Sequence, residues 1–97
     1  MEERFFAFHY ANPWVLDRLA DLARTLLRRG WHKIGIGLLT EQLRWTWATT
    51  TEDPNSEWKL NNDYRAFYVR LLEHTWPDEF AGVFEKRRSH ADEMVMV

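Results

Sequence analysis

The sequence predicts a mainly α fold, a compact four-helix domain, on three observations. Val15, Leu16, Leu19, Leu22, Ala23, Leu26 and Leu27 recur at three- and four-residue steps, the period of a helix with one buried face. Asparagine and proline stand where helices begin, at Asn12-Pro13 and Asn61-Asn62, while Gly30 and Pro77 stand where helices stop or restart. Six Trp, six Phe and three Tyr in 97 residues supply enough apolar area for one core, and there is no Cys to staple it. A second core has no residues left to build it, so 1–88 reads as a single helical domain and 89–97, which lose periodicity, as a flexible tail.

Residues 1–11 carry Phe5, Phe6, Phe8 and Tyr10 and predict a short extended or irregular lead-in lying on the core. Asn12 suits an N-cap and Pro13 the first helical position, where a missing N–H costs nothing. The first helix therefore runs from there to about Arg29, and Gly30 stops it. Trp31 to Gly37 predicts a connection with room for a brief extended piece. A short second helix over roughly 36–47 follows from the clustering of Leu38, Leu39, Gln42, Leu43, Trp45 and Trp47, with Glu41 and Arg44 on its outer side.

The polar, β-branched run from Ala48 to Glu57, broken by Pro54, predicts an exposed loop, and Trp58-Lys59-Leu60 a very short strand. Asn61 or Asn62 starts a third helix that turns Tyr64, Phe67, Tyr68, Leu71 and Leu72 inward and ends near Thr75. Pro77 opens a fourth, with Phe80, Ala81, Val83 and Phe84 inward. The second and third helices are loosely helix-turn-helix-like, with a short β-hairpin or extended segment fitting between them. The loop of more than ten residues is longer than the usual turn of about three or four.

Composition excludes whole classes of chemistry. Without Cys there is no thiolate zinc site, redox switch or thiol nucleophile. His9, His32, His74 and His90 show no i, i+4 pairing that would mark a metal site, and Gly35 and Gly37 lack the strand and helix of a nucleotide loop. Pairs such as Asp17 with Asp21, Asp53 with Glu57, or Asp78 with Glu79 are tied to no nucleophile or orienting group, so they read as solvated faces or caps. The chain is thus expected to be non-enzymatic and without a cofactor. The start Met-Glu-Glu-Arg-Phe-Phe lacks a signal peptide's apolar run, and no stretch approaches the ~20 apolar residues of a membrane span, so a cytoplasmic location is expected. A net charge of -2 argues against sequence-blind polyanion binding, although Arg24, Arg28, Arg29, His32 and Lys33 form one basic cluster and Lys86, Arg87 and Arg88 another.

What remains is binding. Lys59, Asn62, Arg65 and Arg70 lie on or beside the third helix, away from its aromatic stripe, and with Arg44 in support they suit phosphates and base edges of DNA. The competing use of the asparagines is as caps, and of the arginines as solvated or ion-paired groups. Trp45, Trp47 and Trp58, beside Arg44, suit anchors on a protein partner, unless the small core consumes them. A twofold homodimer is a third use of the same aromatic surface.

Phe8-His9, Asn12-Pro13, Gly30, Ile34-Gly35-Ile36, Glu41 with Leu43-Arg44-Trp45, Lys59-Leu60-Asn61-Asn62 with Tyr64, Tyr68 and Arg70, and finally Pro77, Phe84 and Arg87 form a pattern over about residues 5–88. In that pattern the chain resembles small uncharacterised proteins encoded by phages and prophages of actinobacteria. The resemblance implies a phage-borne accessory protein acting in the host cytoplasm and carries no established activity or site residues with it. The leading expectation is a module contacting DNA through the third helix; the alternative is a protein-binding inhibitor or sequestering factor of a host protein, a defence component included.

Overall fold

The described part of the chain opens directly in a helix. The structure, a computed structural model, describes residues 2–52 and 59–85, and in it Glu2–Ala11 is a helix, α1, where the sequence predicts an extended lead-in. Glu2 and Glu3 in the first turn complement the helix dipole. Phe5 points into the core, whereas Phe6 and Tyr10 stay exposed and stack on each other at 6.0 Å. Aromatic residues on both faces hide the amphipathic period, which is why the helix is not legible from spacing.

Asn12 ends α1 instead of capping the next helix. Its backbone N–H and its side-chain amide both donate to Phe8 O, at 2.9 and 3.0 Å, because the preceding residues are helical and leave that carbonyl open. Pro13 takes the cap position of α2, Trp14–Arg28. This helix buries Val15, Leu16, Leu19, Ala20 and Ala23, and its end matches the expected stop. Gly30, at φ +96°, donates to Leu27 O at 3.0 Å and Trp31 to Leu26 O at 3.2 Å, the two bonds of a Schellman turn. Nothing lies within 4 Å of where a Gly30 side chain would start, so Gly30→Ala is expected to cost about 1 kcal/mol of backbone strain and no clash. Urea unfolding checks this.

The second predicted helix is longer than expected: α3 spans Ile36–Thr50. Its final threonines favour a loop by propensity. Here the hydroxyls of Thr46, Thr49 and Thr50 donate to the carbonyls of Gln42, Trp45 and Thr46 at 3.0, 2.9 and 2.6 Å, so they are satisfied without leaving the helix. Lys59 and Leu60 form no strand; Trp58 and half of the predicted loop, residues 53–57, lie outside the described residues. Residues 51–61 lie between α3 and the turn at Asn62, with 53–58 outside the described residues, and the short turn of a helix-turn-helix is not found among the described ones.

Asn61 caps the following segment, its Oδ1 accepting from Asp63 N at 2.9 Å. A 3-10 turn, Asn62–Tyr64, leads into α4, Arg65–Thr75, which buries Tyr68, Val69 and Leu72. Asn61→Ala is expected to cost about 1 kcal/mol in the same unfolding assay. Pro77 opens α5, Pro77–Phe80, a single turn. Ala81 is exposed, contrary to the expectation of an inward face, because Gly82 at φ +75° turns the chain out of the helix. Phe84 reaches the core by another route. Ile34 and Phe84 form an isolated parallel bridge, with Ile34 N donating to Val83 O and Glu85 N to Ile34 O, both at 2.9 Å. This is the brief extended piece expected in the 31–37 connection. The predicted tail lies outside the described residues.

The core is aromatic where α1 meets α4: the Phe5 ring lies 4.8 to 5.6 Å from those of Tyr68, Phe67 and Tyr64. Leu19, Leu39, Leu43, Leu72 and Phe80 continue it between α2, α3, α4 and α5. Arg24 ties α5 to α2. Its guanidinium donates to Glu79 at 2.6 and 3.1 Å and to Asp21 at 3.1 Å, and sits 4.9 Å from the Trp76 ring centre. Those bonds hold the Glu79 carboxyl below the usual 4.5. A lowered carboxyl stabilises the fold above its unfolded-state pKa, and the gain is lost as pH falls through the folded value. The melting temperature is therefore expected to fall more steeply below about pH 4.5 in the wild type than in Glu79→Gln. Among the described residues no helix is long and apolar enough to cross a membrane.

Candidate functional site

Between α3 and the segment leading into α4 lies a cleft of about 430 Å³, lined by Arg44, Trp47, Lys59, Leu60 and Asn62. Three of the five residues proposed for nucleic-acid contact, Arg44, Lys59 and Asn62, thus converge, although they come from two elements eighteen residues apart in the case of Arg44 and Asn62. The convergence has a cause. Arg44 sits on the flank of α3 that faces the returning chain, and its Nη2 donates to Leu60 O at 2.8 Å and to Asn62 Oδ1, while Nη1 donates to Glu41 Oε1. Arg65 extends the network by donating from Nε to Asn62 O at 3.1 Å.

These bonds set what the cleft can do. Arg44 is neutralised by Glu41 one turn earlier and holds the 59–62 segment against α3, so its guanidinium is occupied as a clamp. Asn62 spends its carbonyl oxygen on that clamp, leaving only its NH₂ to donate outward. Arg65 lies over the first turn of α3, since a methyl on Gly37 would come to 3.4 Å from its Nη1. Arg70, five residues further and therefore about 140° around the helix, is exposed with its guanidinium 6.0 Å from the Phe67 ring. The arginines of α4 thus point to different sides, and Arg70 stands apart from the cleft.

Of the three tryptophans, Trp47 is half-buried on the cleft wall, Trp58 lies outside the described residues, and Trp45 faces solvent with 66 % of its surface exposed. Leu38, two turns earlier, is 60 % exposed. Leu39, Thr40 and Leu43 bury the opposite face of the same helix. Leu38, Glu41, Gln42, Trp45, Ala48 and Thr49, all exposed, form its outward stripe at three- and four-residue steps. Sequence spacing groups Leu38 with Leu39 and Leu43 and does not single it out as a surface residue. The available signal was surplus: apolar residues at 36, 38, 39, 43, 45 and 47 are too many for one helix face.

Elsewhere in the core His9 Nδ1 and the Tyr68 hydroxyl are buried without a hydrogen-bond partner among the described residues. Burial, with a smaller contribution from Tyr64, pushes the Tyr68 phenol well above its ordinary value, so it stays neutral. No group of three His, Cys, Asp or Glu among the described residues is arranged to hold a metal ion. No protein-family model matches the chain, and neither a curated protein nor a solved structure matches it.

Proposed function

We propose that the protein is a non-enzymatic binding module that docks on another protein through the outward stripe of α3, with Leu38 and Trp45 as anchors. The supporting observation is the exposure of these two large apolar side chains, 60 % and 66 %, in register on a helix whose other face is locked into the core. A rigid helix presenting a Trp and a Leu two turns apart has the form of an amphipathic recognition helix, and Trp is favoured among residues that dominate interface energy. Gln42, Thr49 and the Arg44 cleft supply a polar rim.

Charge supports protein over DNA as the partner. Glu41 lies between the two anchors and Arg44 is paired to it, so the stripe carries no net positive field to draw phosphates. On the resemblance to phage-encoded proteins, the partner is a host protein, which the module sequesters or inhibits. Capture from host lysate with the full chain tests the class of partner: the expected result is one protein retained after nuclease treatment and between 50 and 200 mM salt.

DNA contact stays as a second reading because Lys59 and Arg70 are exposed cations outside the ion pairs found among the described residues. It requires the opposite outcome, recovery that nuclease abolishes and that weakens steeply with salt.

A further inference from the structure

The turn that ends α2 carries a second surface, distinct from the outward stripe of α3. Residues Arg28-Arg29-Gly30-Trp31-His32-Lys33 are exposed throughout, and along the chain no Asp or Glu occurs between Asp21 and Glu41, the Glu85 carboxylate being the acid that the fold brings to Gly35 beyond them. The left-handed Gly30 reverses the chain, and the Schellman bonds to Leu26 and Leu27 make the reversal rigid. In such a turn the residue at the position of Trp31 commonly packs back on the residue at the position of Leu26. Leu26 is half-buried against the core, yet Trp31 keeps 59 % of its surface exposed. Lys33 anchors the far side: its Nζ donates to Gly82 O at 2.6 Å, which leaves two ammonium protons directed elsewhere.

Cations at a helix C-terminus complement its carbonyl end, and that accounts for Arg28 and Arg29. It does not account for an indole held in water between Arg28-Arg29 and His32-Lys33. We propose that this turn binds single-stranded nucleic acid, a base stacking on Trp31 while Arg28, Arg29 and Lys33 neutralise neighbouring phosphates. A lone planar ring flanked by cations matches a flat base on an anionic backbone. It does not match a bilayer surface, which needs a broad apolar face, nor a second copy of the chain, whose like-charged turn would be repelled. A duplex fits less well, because its bases already stack on one another. The acidic balance of the whole chain, net -2, confines such binding to this turn.

The test is fluorescence anisotropy of a labelled short oligothymidylate titrated with the full chain, with an abasic oligomer, the corresponding duplex and polyglutamate as competitors. Three phosphate contacts imply an affinity about 20-fold weaker at 200 mM than at 50 mM salt. Trp31→Ala is expected to weaken binding roughly 5- to 100-fold with an unchanged helical spectrum, and Arg28→Ala/Arg29→Ala to flatten the salt dependence. All three side chains are exposed, so the variants keep their core. Absence of binding at 50 mM salt overturns the proposal. So does an unchanged affinity in Trp31→Ala, or competition by the abasic oligomer or polyglutamate as effective as by oligothymidylate, which would mark a surface for anions of any kind, acidic peptides included. Neither Leu38 nor Trp45 takes part, so this result and the α3 result fail or hold independently.

Discussion

Tyr68→Ala is expected to cost about 3–5 kcal/mol, as truncation of a buried aromatic does, and to leave the domain largely unfolded well below the wild-type melting temperature. Tyr68 is fully buried and meets Phe5 edge-on at 4.8 Å, so its ring is what α1 docks against on α4. A chain of this size has a total stability of about 5–15 kcal/mol, and each 1 kcal/mol shifts its melting temperature by roughly 4–8 °C. Tyr68→Phe separates ring from hydroxyl. Because the hydroxyl has no partner among the described residues, its removal is expected to leave stability unchanged or to raise it by up to about 1 kcal/mol. Thermal and urea unfolding of both variants measure this. A loss above about 1 kcal/mol in Tyr68→Phe would mean that the hydroxyl is hydrogen-bonded in solution.

The second large effect concerns binding. Leu38→Ala/Trp45→Ala is expected to weaken partner capture at least 100-fold, since two central anchors at about 2 kcal/mol each exceed the 2.7 kcal/mol that such a factor requires. Stability should change by less than about 0.5 kcal/mol, because both side chains are mostly in solvent and face away from Leu39 and Leu43. The contrast with Tyr68→Ala is the point: one variant loses the fold, the other loses only the surface. Arg44→Ala is a useful third case, for it frees Leu60 O and Asn62 Oδ1 and should loosen the 59–62 segment while leaving the α3 stripe in place.

Much of this architecture is legible in the residues themselves. The stripe from Val15 to Leu27 and the stop at Gly30 give α2, and Asn61 gives the entry to α4. Three elements resisted for separate physical reasons. In α1 the aromatic residues lie on both faces, so no single period stands out. In α3 the terminal threonines favour a loop by propensity, but each can bond back to the preceding turn. The chain after Phe80 leaves the helix at Gly82 and pairs with Ile34, a contact between residues fifty positions apart that local spacing does not encode. The site was legible to a lesser degree. Residue types marked Arg44, Lys59 and Asn62 as functional, and the fold does gather them. Arg44 and Asn62 are hydrogen-bonded to each other, however, which only the tertiary structure reveals. Spacing alone marks Trp45 as an anchor candidate without telling surface from core, and it groups Leu38 with Leu39 and Leu43, from which the fold separates it.

The most direct test of the central claim is site-specific photocrosslinking in the host cell, with a photoreactive amino acid at position 45 or 38 and, as the control face, at Asp17 on the exposed side of α2. The expected result is one discrete protein adduct formed from positions 45 and 38, absent from position 17, and unaffected by nuclease. Adducts of the same pattern from all three positions, or adducts only to DNA, would contradict the assignment of the α3 stripe as the protein-docking face.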